Sequence, residues 1–293
     1  MRKVKMRVWD VKHGSAIYIR TPNNRHIVID LGVGDYSEQK EDTSPVETYK
    51  NRYDISKIDL LLITHPHKDH IKDILKLDEL GIKVDLFMRP KKFNIQPLID
   101  AASENDLKFY ERYKKFCDSH KSSASQEQTT TVPANNDNVS FKYFDNGTTD
   151  DGNANNHSII TVVEFEGYKI VIPGDNEVKS LEGLMQRTDF KNAVANCDIL
   201  IAPHHGRESA YHADFVKFCN PKLTIISDSE KCDTSANDKY RNASSGMLIY
   251  DVDQWKTRKL LTTDYDGEVY IDFGHNGTER FLDVEVKIKI EKK

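Results

Sequence analysis

Short apolar segments separated by polar turns dominate the first part of the chain. Residues 4–9 and 16–20 flank a turn at residues 13–14, and together they predict an opening β-hairpin. Residues 26–30 predict a third strand. Residues 58–64 have the continuous apolar pattern of a buried strand, and they lead directly into a polar loop that is rich in histidine. The pattern therefore predicts a sheet whose strand ends carry polar side chains.

The rest of the chain mixes strand and helix patterns. The spacing of Ile71, Ile74, Leu75 and Leu77 predicts a helix with one apolar face. Further helices are predicted over 98–117, 178–186 and 210–218, strands over 84–88, 140–144, 158–165, 169–172, 199–202 and 223–227, and a mostly β segment over 259–290. This order favours sheets packed face to face with helices outside. We expect one domain over residues 1–293, with a flexible insertion at about residues 121–138, which are rich in Ser, Thr, Gln and Asn.

Composition excludes several classes of protein. Of the 293 residues, 38% are hydrophobic and 30% are charged, as in a soluble globular protein. The longest apolar stretches are strand-sized and the N-terminus has no signal-peptide pattern, so we expect a cytoplasmic protein with no membrane association. The four cysteines form no C-x-x-C pair, which fits reduced thiols. The net charge of -5 argues against non-specific coating of nucleic acid, but it is compatible with a local basic groove.

The histidine-rich loop has the spacing of a metal site. It reads His65-x-His67-x-Asp69-His70 and directly follows an apolar strand. Side chains alternate along an extended segment, so His65 and His67 point the same way, while Asp69 and His70 can face a second position nearby. Imidazole and carboxylate groups suit Zn²⁺ or Mn²⁺. The loop therefore predicts ligands for two neighbouring divalent ions.

Two later strand ends carry residues of the same kind. Asp175 follows a Pro-Gly turn, where its carboxylate could bridge two ions, although aspartate is also common in β-turns. His204 and His205 follow an apolar strand, and alternation predicts that one binds metal while the other structures the loop or touches the substrate. Asp30 is expected to hold a ligand histidine in one tautomer, the alternative being a cap of a helix or turn.

These motifs, in this order, resemble the metallo-β-lactamase superfamily. The closer resemblance is to the hydrolase domain of the competence protein ComEC. Residues 8–17, VWDVKHGSAI, resemble the opening DVGQGDA strand and turn of that group. Residues 155–158 resemble its NxxS strand start, and residues 262–269 resemble its late T-x-x-G hairpin. The resemblance covers about residues 4–273, and it implies an α/β fold, the αββα four-layer sandwich, with a dimetal site at one edge of the two sheets.

Two departures from the pattern of the group bear on function. Arg207 stands where a serine usually follows His-His-Gly, and its guanidinium could grip a substrate phosphate through two hydrogen bonds. The histidine of the third motif is not cleanly placed in this chain. His157 is the nearest candidate, and the roles of metal ligand and of strand-start residue are equally open for it.

The residues and the resemblance together predict a hydrolase that uses two divalent ions, Zn or Mn. The expected ligands form two sets that share Asp175: His65, His67 and His157 at one ion, and Asp69, His70 and His204 or His205 at the other. Asp69, Asp175 and His205 are the candidate catalytic residues, and a metal-bound hydroxide is the expected nucleophile.

Paired ions suit displacement at phosphorus, and the resemblance points to DNA, so we expect a phosphodiesterase or nuclease. Two alternatives stay open. One is a hydrolase of a small ester, lactone or cyclic nucleotide, and the other is a metal-site effector module that needs a protein partner. A homodimer is open as well.

Overall fold

The computed structural model describes residues 1–34, 44–121, 125–147, 152–229 and 232–286. Two β-sheets pack face to face in the middle of the molecule, and helices cover the outer face of each sheet. The layers therefore follow the order α, β, β, α. This confirms the predicted α/β fold class, the metallo-β-lactamase-like four-layer sandwich.

The strands are numbered in chain order. They are β1 (Arg2–Val8), β2 (Ile17–Arg20), β3 (His26–Ile29), β4 (Lys57–Leu62), β5 (Lys83–Met88), β6 (Ser140–Phe144), β7 (Ile160–Phe165), β8 (Tyr168–Ile172), β9 (Ile199–Ile201), β10 (Leu223–Ile226), β11 (Met247–Asp251), β12 (Gln254–Arg258), β13 (Leu260–Thr262), β14 (Val269–His275) and β15 (Arg280–Val286).

The helices are short, apart from one of 16 residues. They are α1 (Pro45–Asn51), α2 (Lys68–Ile71), α3 (Ile74–Glu79), α4 (Gln96–Ala101), α5 (Glu104–Ser119), α6 (Val178–Leu184), α7 (Thr188–Val194), α8 (Ala213–Cys219), α9 (Asn237–Ala243) and α10 (Thr263–Asp266). None of the helices in the described ranges is long and apolar enough to cross a bilayer.

The strands form two sheets, and each sheet has a parallel part. Within the described residues, one sheet has nine strands in the order β12-β11-β15-β14-β1-β2-β3-β4-β5, and the other has six in the order β13-β10-β9-β8-β7-β6. Strands β3, β4 and β5 run parallel, and so do β8, β9, β10 and β13. Parallel strands end at the same edge of a sheet, so each sheet brings the loops after these strands together.

Alternation along the strands builds the core. In β4, Leu60 and Leu62 face the second sheet, whereas Leu61 faces the helices. In β8, Ile170 and Ile172 face the first sheet, and Val171 packs under the helices that cover the second sheet. Each fully buried side chain of this size stabilises the fold by about 1.5–3 kcal/mol. Packing of these apolar side chains holds the strands in place. The polar residues that follow the strands are positioned as a result.

The predicted helix over 98–117 is wrong in one respect, because the structure has α4 and α5 instead. The break falls at Ala102, and Ser103 starts α5 by accepting a hydrogen bond from the backbone N–H of Asp106. The helix predicted after the histidine-rich loop is likewise divided into α2 and α3. The sequence pattern also missed α7 and α9, as well as the hairpin of β11 and β12.

The flexible insertion stays a prediction. Residues 122–124 lie outside the described residues, as does the end of the β segment predicted over 259–290. Pro133–Asn136 forms a 3-10 turn, and the buried Asn136 donates a hydrogen bond to the carbonyl of Thr130 at 2.7 Å. The division into one domain over residues 1–293 also stays a prediction.

Candidate metal centre

Polar side chains from both sheets meet at one edge of the molecule. Asp30 follows β3 and the histidine-rich loop follows β4, while Asp175 follows β8 and His204-His205 follows β9. At this edge of the molecule the two sheets are joined by a hydrogen bond of 3.1 Å, from the N–H of Ile159 to the carbonyl of Thr64. The structure thus brings most of the predicted site residues together.

Asp30 is the anchor of the histidine-rich loop. It is fully buried, with its backbone at φ +62°. Its carboxylate accepts hydrogen bonds from the N–H of Thr64 at 2.7 Å and from its hydroxyl at 2.8 Å. The Nδ1–H of His70 donates to the same carboxylate at 2.8 Å, which leaves the Nε2 lone pair of His70 facing the site. This is the contact that the predicted role of Asp30 requires.

Four side chains form a tight group. Asp69, His70, Asp175 and His205 each offer an atom, and these atoms lie within 4.8 Å of one another. The Nε2 atoms of His70 and His205 are both 3.3 Å from Oδ2 of Asp175. Oδ2 of Asp69 is 3.7 Å from Nε2 of His70 and 3.3 Å from Nε2 of His205. The group has the dimensions of one ion's ligand shell.

Close packing of backbone places Asp175 in this group. Gly174 has φ +60°, and a Cβ there would lie 2.9 Å from Cβ of Ser158 and 3.0 Å from Cβ of Thr64. Only glycine therefore lets the end of β8 approach the end of β4 this closely. The N–H of Asp175 donates to the hydroxyl of Ser158 at 3.0 Å, which fixes the residue with only 4% of its surface exposed.

His65 also approaches Asp175, and His67 packs against His65. Nε2 of His65 is 2.9 Å from Nδ1 of His67 and 3.8 Å from Oδ2 of Asp175. The two ring nitrogens thus face a common point, as alternation along the loop predicts.

His204 and His205 both face Asp175, which differs from the alternation expected of a strand. They lie in a 3-10 turn, Pro203–Gly206, with φ +45° and +53°. These left-handed conformations turn both rings to the same edge, so Nε2 of His204 also lies 4.0 Å from Oδ2 of Asp175. Nδ1–H of His205 donates to the carbonyl of Ser227 at 2.8 Å, and Nδ1 of His204 is 3.1 Å from Oε1 of Glu177. Each Nε2 is therefore directed into the site.

The electrostatics differ between neighbouring histidines. Burial lowers the pKa of His65 well below its ordinary value, and the adjacent His70 lowers it further. Burial also acts to lower the pKa of His70 and His205, but the carboxylates around them, Asp175 first, outweigh it. They raise the pKa of His70 well above its ordinary value and that of His205 to about 10.

The two carboxylates of the group respond in the opposite sense. Burial acts to raise the pKa of Asp69 and Asp175, yet His70 and His205 lower both pKa values. The Nε2 atoms of His70 and His205 are buried, and neither makes a well-formed hydrogen bond within the described part of the chain. Buried nitrogen atoms that lack a well-formed hydrogen bond, beside two carboxylates, fit a divalent cation in both chemistry and charge.

Two predicted site residues stand apart from the group of four. His157 is buried in a 3-10 turn, Ala154–His157, and its ring centroid is 5.1 Å from that of Phe93. Arg207 directs one guanidinium nitrogen to Thr234 at 3.2 Å and to Cys232, and another to Asp228 at 3.5 Å. Metal binding by His157 and substrate binding by Arg207 stay predictions.

His13 is a site residue that the sequence reasoning missed. Its Nε2 is 3.5 Å from Oδ2 of Asp69, its Nδ1 is 3.2 Å from Oδ1 of Asp228, and its ring centroid is 4.6 Å from that of His205. No nearby ligand in the sequence marks it, because its partners come from distant strand ends. A signal did exist, since His13 lies inside the segment that resembles the DVGQGDA opening.

Comparison with protein families supports the fold. Residues 9–108 match the family model of the metallo-beta-lactamase superfamily, a range that includes the histidine-rich loop and ends before Asp175. Comparison with curated proteins gives no match. Neither result singles out the ComEC group, so that closer resemblance stays a prediction.

Several solved structures are similar to the chain at low identity. A diphosphatase of the PhnP family is 14% identical over 78% of this chain and 87% of that one, with a TM-score of 0.40. CmlA, a diiron β-hydroxylase from Streptomyces venezuelae, is 14% identical over 77% and 45%, with a TM-score of 0.42. A long form of RNase Z from yeast is 9% identical over 79% and 38%, with a TM-score of 0.38. The chain spans less than half of the last two, and such similarities carry no information about its reaction.

The layers of the fold, the match over residues 9–108 and the group of four residues agree with one another. They define a protein with a metallo-β-lactamase fold and a site that could hold a divalent metal.

Proposed function

We propose that the chain is a dimetal hydrolase that cleaves phosphodiesters, with DNA as its substrate. The observation that supports this most strongly is the position of Asp175. Its Oδ2 lies 3.3 Å from Nε2 of His70 and of His205, and 3.8 Å from Nε2 of His65. A carboxylate that several imidazoles approach could be shared by two ions.

The ligands divide into two sets in this proposal. Asp69, His70 and His205 hold one ion, and we refer to them as the Asp69 side. His65, His67 and His204 hold the other ion, and we refer to them as the His65 side. Asp175 belongs to both. His204 takes the place that the resemblance gives to His157, since Nε2 of His204 lies 4.0 Å from Asp175 and its ring is close enough to lower the pKa of His67.

The protein's own groups hold these ligands in one orientation. Asp30, the carbonyl of Ser227 and Glu177 each engage Nδ1 of a histidine, so that Nε2 is left for the metal. When bound, two divalent ions polarise the scissile group and supply a nucleophile at neutral pH. A pair of divalent ions would suit in-line displacement at phosphorus, as phosphodiester cleavage requires.

DNA is the finer part of the proposal. It is supported by the resemblance to the ComEC hydrolase domain in residues 8–17, 155–158 and 262–269. Arg207 supplies a cation beside the site, as a phosphate backbone requires. Zn and Mn are the proposed ions, since both accept imidazole and carboxylate ligands.

The test is metal-dependent cleavage of end-labelled single- and double-stranded DNA. The purified protein is loaded with Mn²⁺ or Zn²⁺, and its metal content is measured alongside the product ladder. Asp69→Ala is expected to abolish cleavage. His275→Gln is the matched control, because His275 lies at the end of β14 that pairs with Arg2, away from the strand ends that carry the site.

The outcomes separate the candidate functions. Cleavage that is lost in Asp69→Ala and kept in His275→Gln supports the nuclease, and the ladder distinguishes exo- from endonucleolytic action. Two bound ions without cleavage of DNA would contradict the DNA proposal. Hydrolysis of a small phosphodiester, lactone or cyclic nucleotide in that case would point to the small-molecule alternative.

A further inference from the structure

The turn that carries His13 is clamped against the metal centre. The hydroxyl of Ser227 donates to the carbonyl of Gly14 at 2.7 Å, and the N–H of Ser15 donates to the carbonyl of Asp69 at 3.3 Å. Gly14 has φ +135°, and a Cβ there would lie 2.5 Å from the carbonyl oxygen of Asp69. The turn therefore needs glycine at this position, and the backbone of His13 is held between the loops that carry Asp69 and Ser227.

The side chain of His13 lies at the mouth of the site. About half of it is exposed (48%), whereas His205, whose ring it contacts, is buried with 3% exposed. Its Nε2 edge faces the carboxylate of Asp69 at 3.5 Å. His13 thus presents a half-exposed imidazole directly beside the group of four.

Asp228 fixes the orientation of this ring. Its side chain is only 7% exposed, and Oδ1 accepts hydrogen bonds from the N–H of Ser229 at 2.8 Å and from Nδ1 of His13 at 3.2 Å. A guanidinium nitrogen of Arg207 lies 3.5 Å from the same oxygen. One buried carboxylate thus contacts both His13, which borders the metal centre, and Arg207.

We propose that His13 and Arg207 together form a wall that contacts the phosphate of the substrate, and that Asp228 is the residue that positions both. The inference rests on the proposed function for its substrate class. It adds a substrate contact, His13, and a positioning residue, Asp228, which the ligand set does not contain.

The test measures phosphate binding separately from catalysis. Inorganic phosphate is titrated calorimetrically into the Mn²⁺-loaded protein, and the steady-state hydrolysis of bis(p-nitrophenyl) phosphate is followed in parallel. In His13→Ala we expect about a tenfold or greater loss of phosphate affinity and a matching rise in KM, with two ions still bound and Tm unchanged. His13→Gln should restore part of the affinity, because its amide can also hydrogen-bond. His275→Gln is the control histidine and should leave both readouts unchanged.

Asp228→Asn tests positioning. It should weaken phosphate binding in the otherwise unchanged protein, and it should have no further effect in a His13→Ala/Arg207→Ala background, because Asp228 acts through these two side chains. An equal loss of phosphate affinity in the otherwise unchanged protein and in the double variant would show a merely structural role. It would overturn the assignment of Asp228 as a positioning residue.

Other outcomes contradict the proposal in distinct ways. Unchanged phosphate affinity in His13→Ala overturns it, and loss of one ion in that variant would make His13 a metal ligand instead. Failure of the loaded wild-type protein to bind phosphate also overturns it. If the wild type binds phosphate through His13 but cleaves no phosphodiester, the proposed function fails while the assignment of His13 stands.

Discussion

The two sides of the candidate metal centre share Asp175 but are built differently. On the Asp69 side, His70 and His205 are buried, and each is held through Nδ1, by Asp30 and by the carbonyl of Ser227. On the His65 side, Nε2 of His65 and Nδ1 of His67 lie 2.9 Å apart, and His204 keeps 22% of its side chain exposed. Both histidines of the Asp69 side are thus buried, whereas on the His65 side only His65 is.

The electrostatic difference follows from the carboxylates. The Asp69 side has two carboxylates against two imidazoles, and the pKa values of His70 and His205 are raised. The pKa values of His65 and His67 are lowered, mainly by burial. The two carboxylates of the Asp69 side therefore attract positive charge more strongly than the His65 side does. We expect the Asp69 side to bind its ion more tightly for this reason.

The largest effect is expected from Asp175→Asn, because Asp175 belongs to both sides. Loss of the shared carboxylate should remove both ions at micromolar metal and lower kcat by roughly a thousandfold or more, since metal ions supply several kcal/mol of transition-state stabilisation. Metal content by mass spectrometry and hydrolysis of bis(p-nitrophenyl) phosphate check this, with His275→Gln as control. Loss of a single ion would break the assignment of Asp175 to both sides.

The next largest effect is expected from substitutions that each remove the ion of one side only. His205→Gln should leave the ion of the His65 side, and His65→Gln should leave the ion of the Asp69 side, so each variant should fall from two bound ions to one. Because the Asp69 side is expected to bind more tightly, His65→Gln should retain its remaining ion through a longer dialysis against chelator. Equal retention in the two variants would contradict the comparison.

The sequence indicates the histidine-rich loop because its four candidate ligands are local, within a run of six residues that follows a buried strand. Asp175 was predictable for a similar reason, as it follows an apolar strand and a Pro-Gly turn. Alternation failed at His204 and His205, since it assumes a strand, whereas both residues adopt left-handed conformations in a 3-10 turn.

His13 was missed because its partners are far away in the sequence. Its contact with Asp228 joins residues 215 positions apart, and only the packing of the two sheets brings them together. Strand β12 was missed for another reason. Its burial pattern is exposed along almost the whole strand, so its sequence has no apolar alternation to reveal it. Long-range packing and exposed edge strands are the parts that a local pattern does not encode.

A smaller effect is expected from Asp30→Asn, because Asp30 contacts His70 on the Asp69 side and an amide oxygen can still accept from the N–H of Thr64. The amide would no longer offer a charged acceptor to Nδ1–H of His70, so metal affinity on this side should fall about 10–100-fold. The His65 side should be unaffected. Competition with a fluorescent chelator gives both affinities, and a loss of affinity on both sides would show that Asp30 supports the loop as a whole.

The smallest effect on the metal centre is expected from Asp73→Asn. This substitution removes a titrating carboxyl group that lies outside the metal centre, so that the pH dependence of the centre can be measured separately. Asp73 is a buried aspartate like Asp30, but its carboxylate accepts from the hydroxyl of Ser44 at 2.8 Å and from the N–H of Val46 at 2.9 Å, both neutral donors. Burial raises its pKa from 3.8 to about 7.

Between these two pH values the unfolded chain loses the proton of Asp73 while the folded chain keeps it. Stability should therefore fall as pH rises from about 4 to about 7, by at most about 1.4 kcal/mol per pH unit, and this contribution should level off above pH 7. Asparagine can accept from Val46 and donate to Ser44 without titrating, so Asp73→Asn should flatten the dependence and keep two bound ions. Denaturant unfolding across pH 4–8 with metal content measured at each point checks both. An unchanged slope would mean that the pH dependence of stability in this range does not come from Asp73.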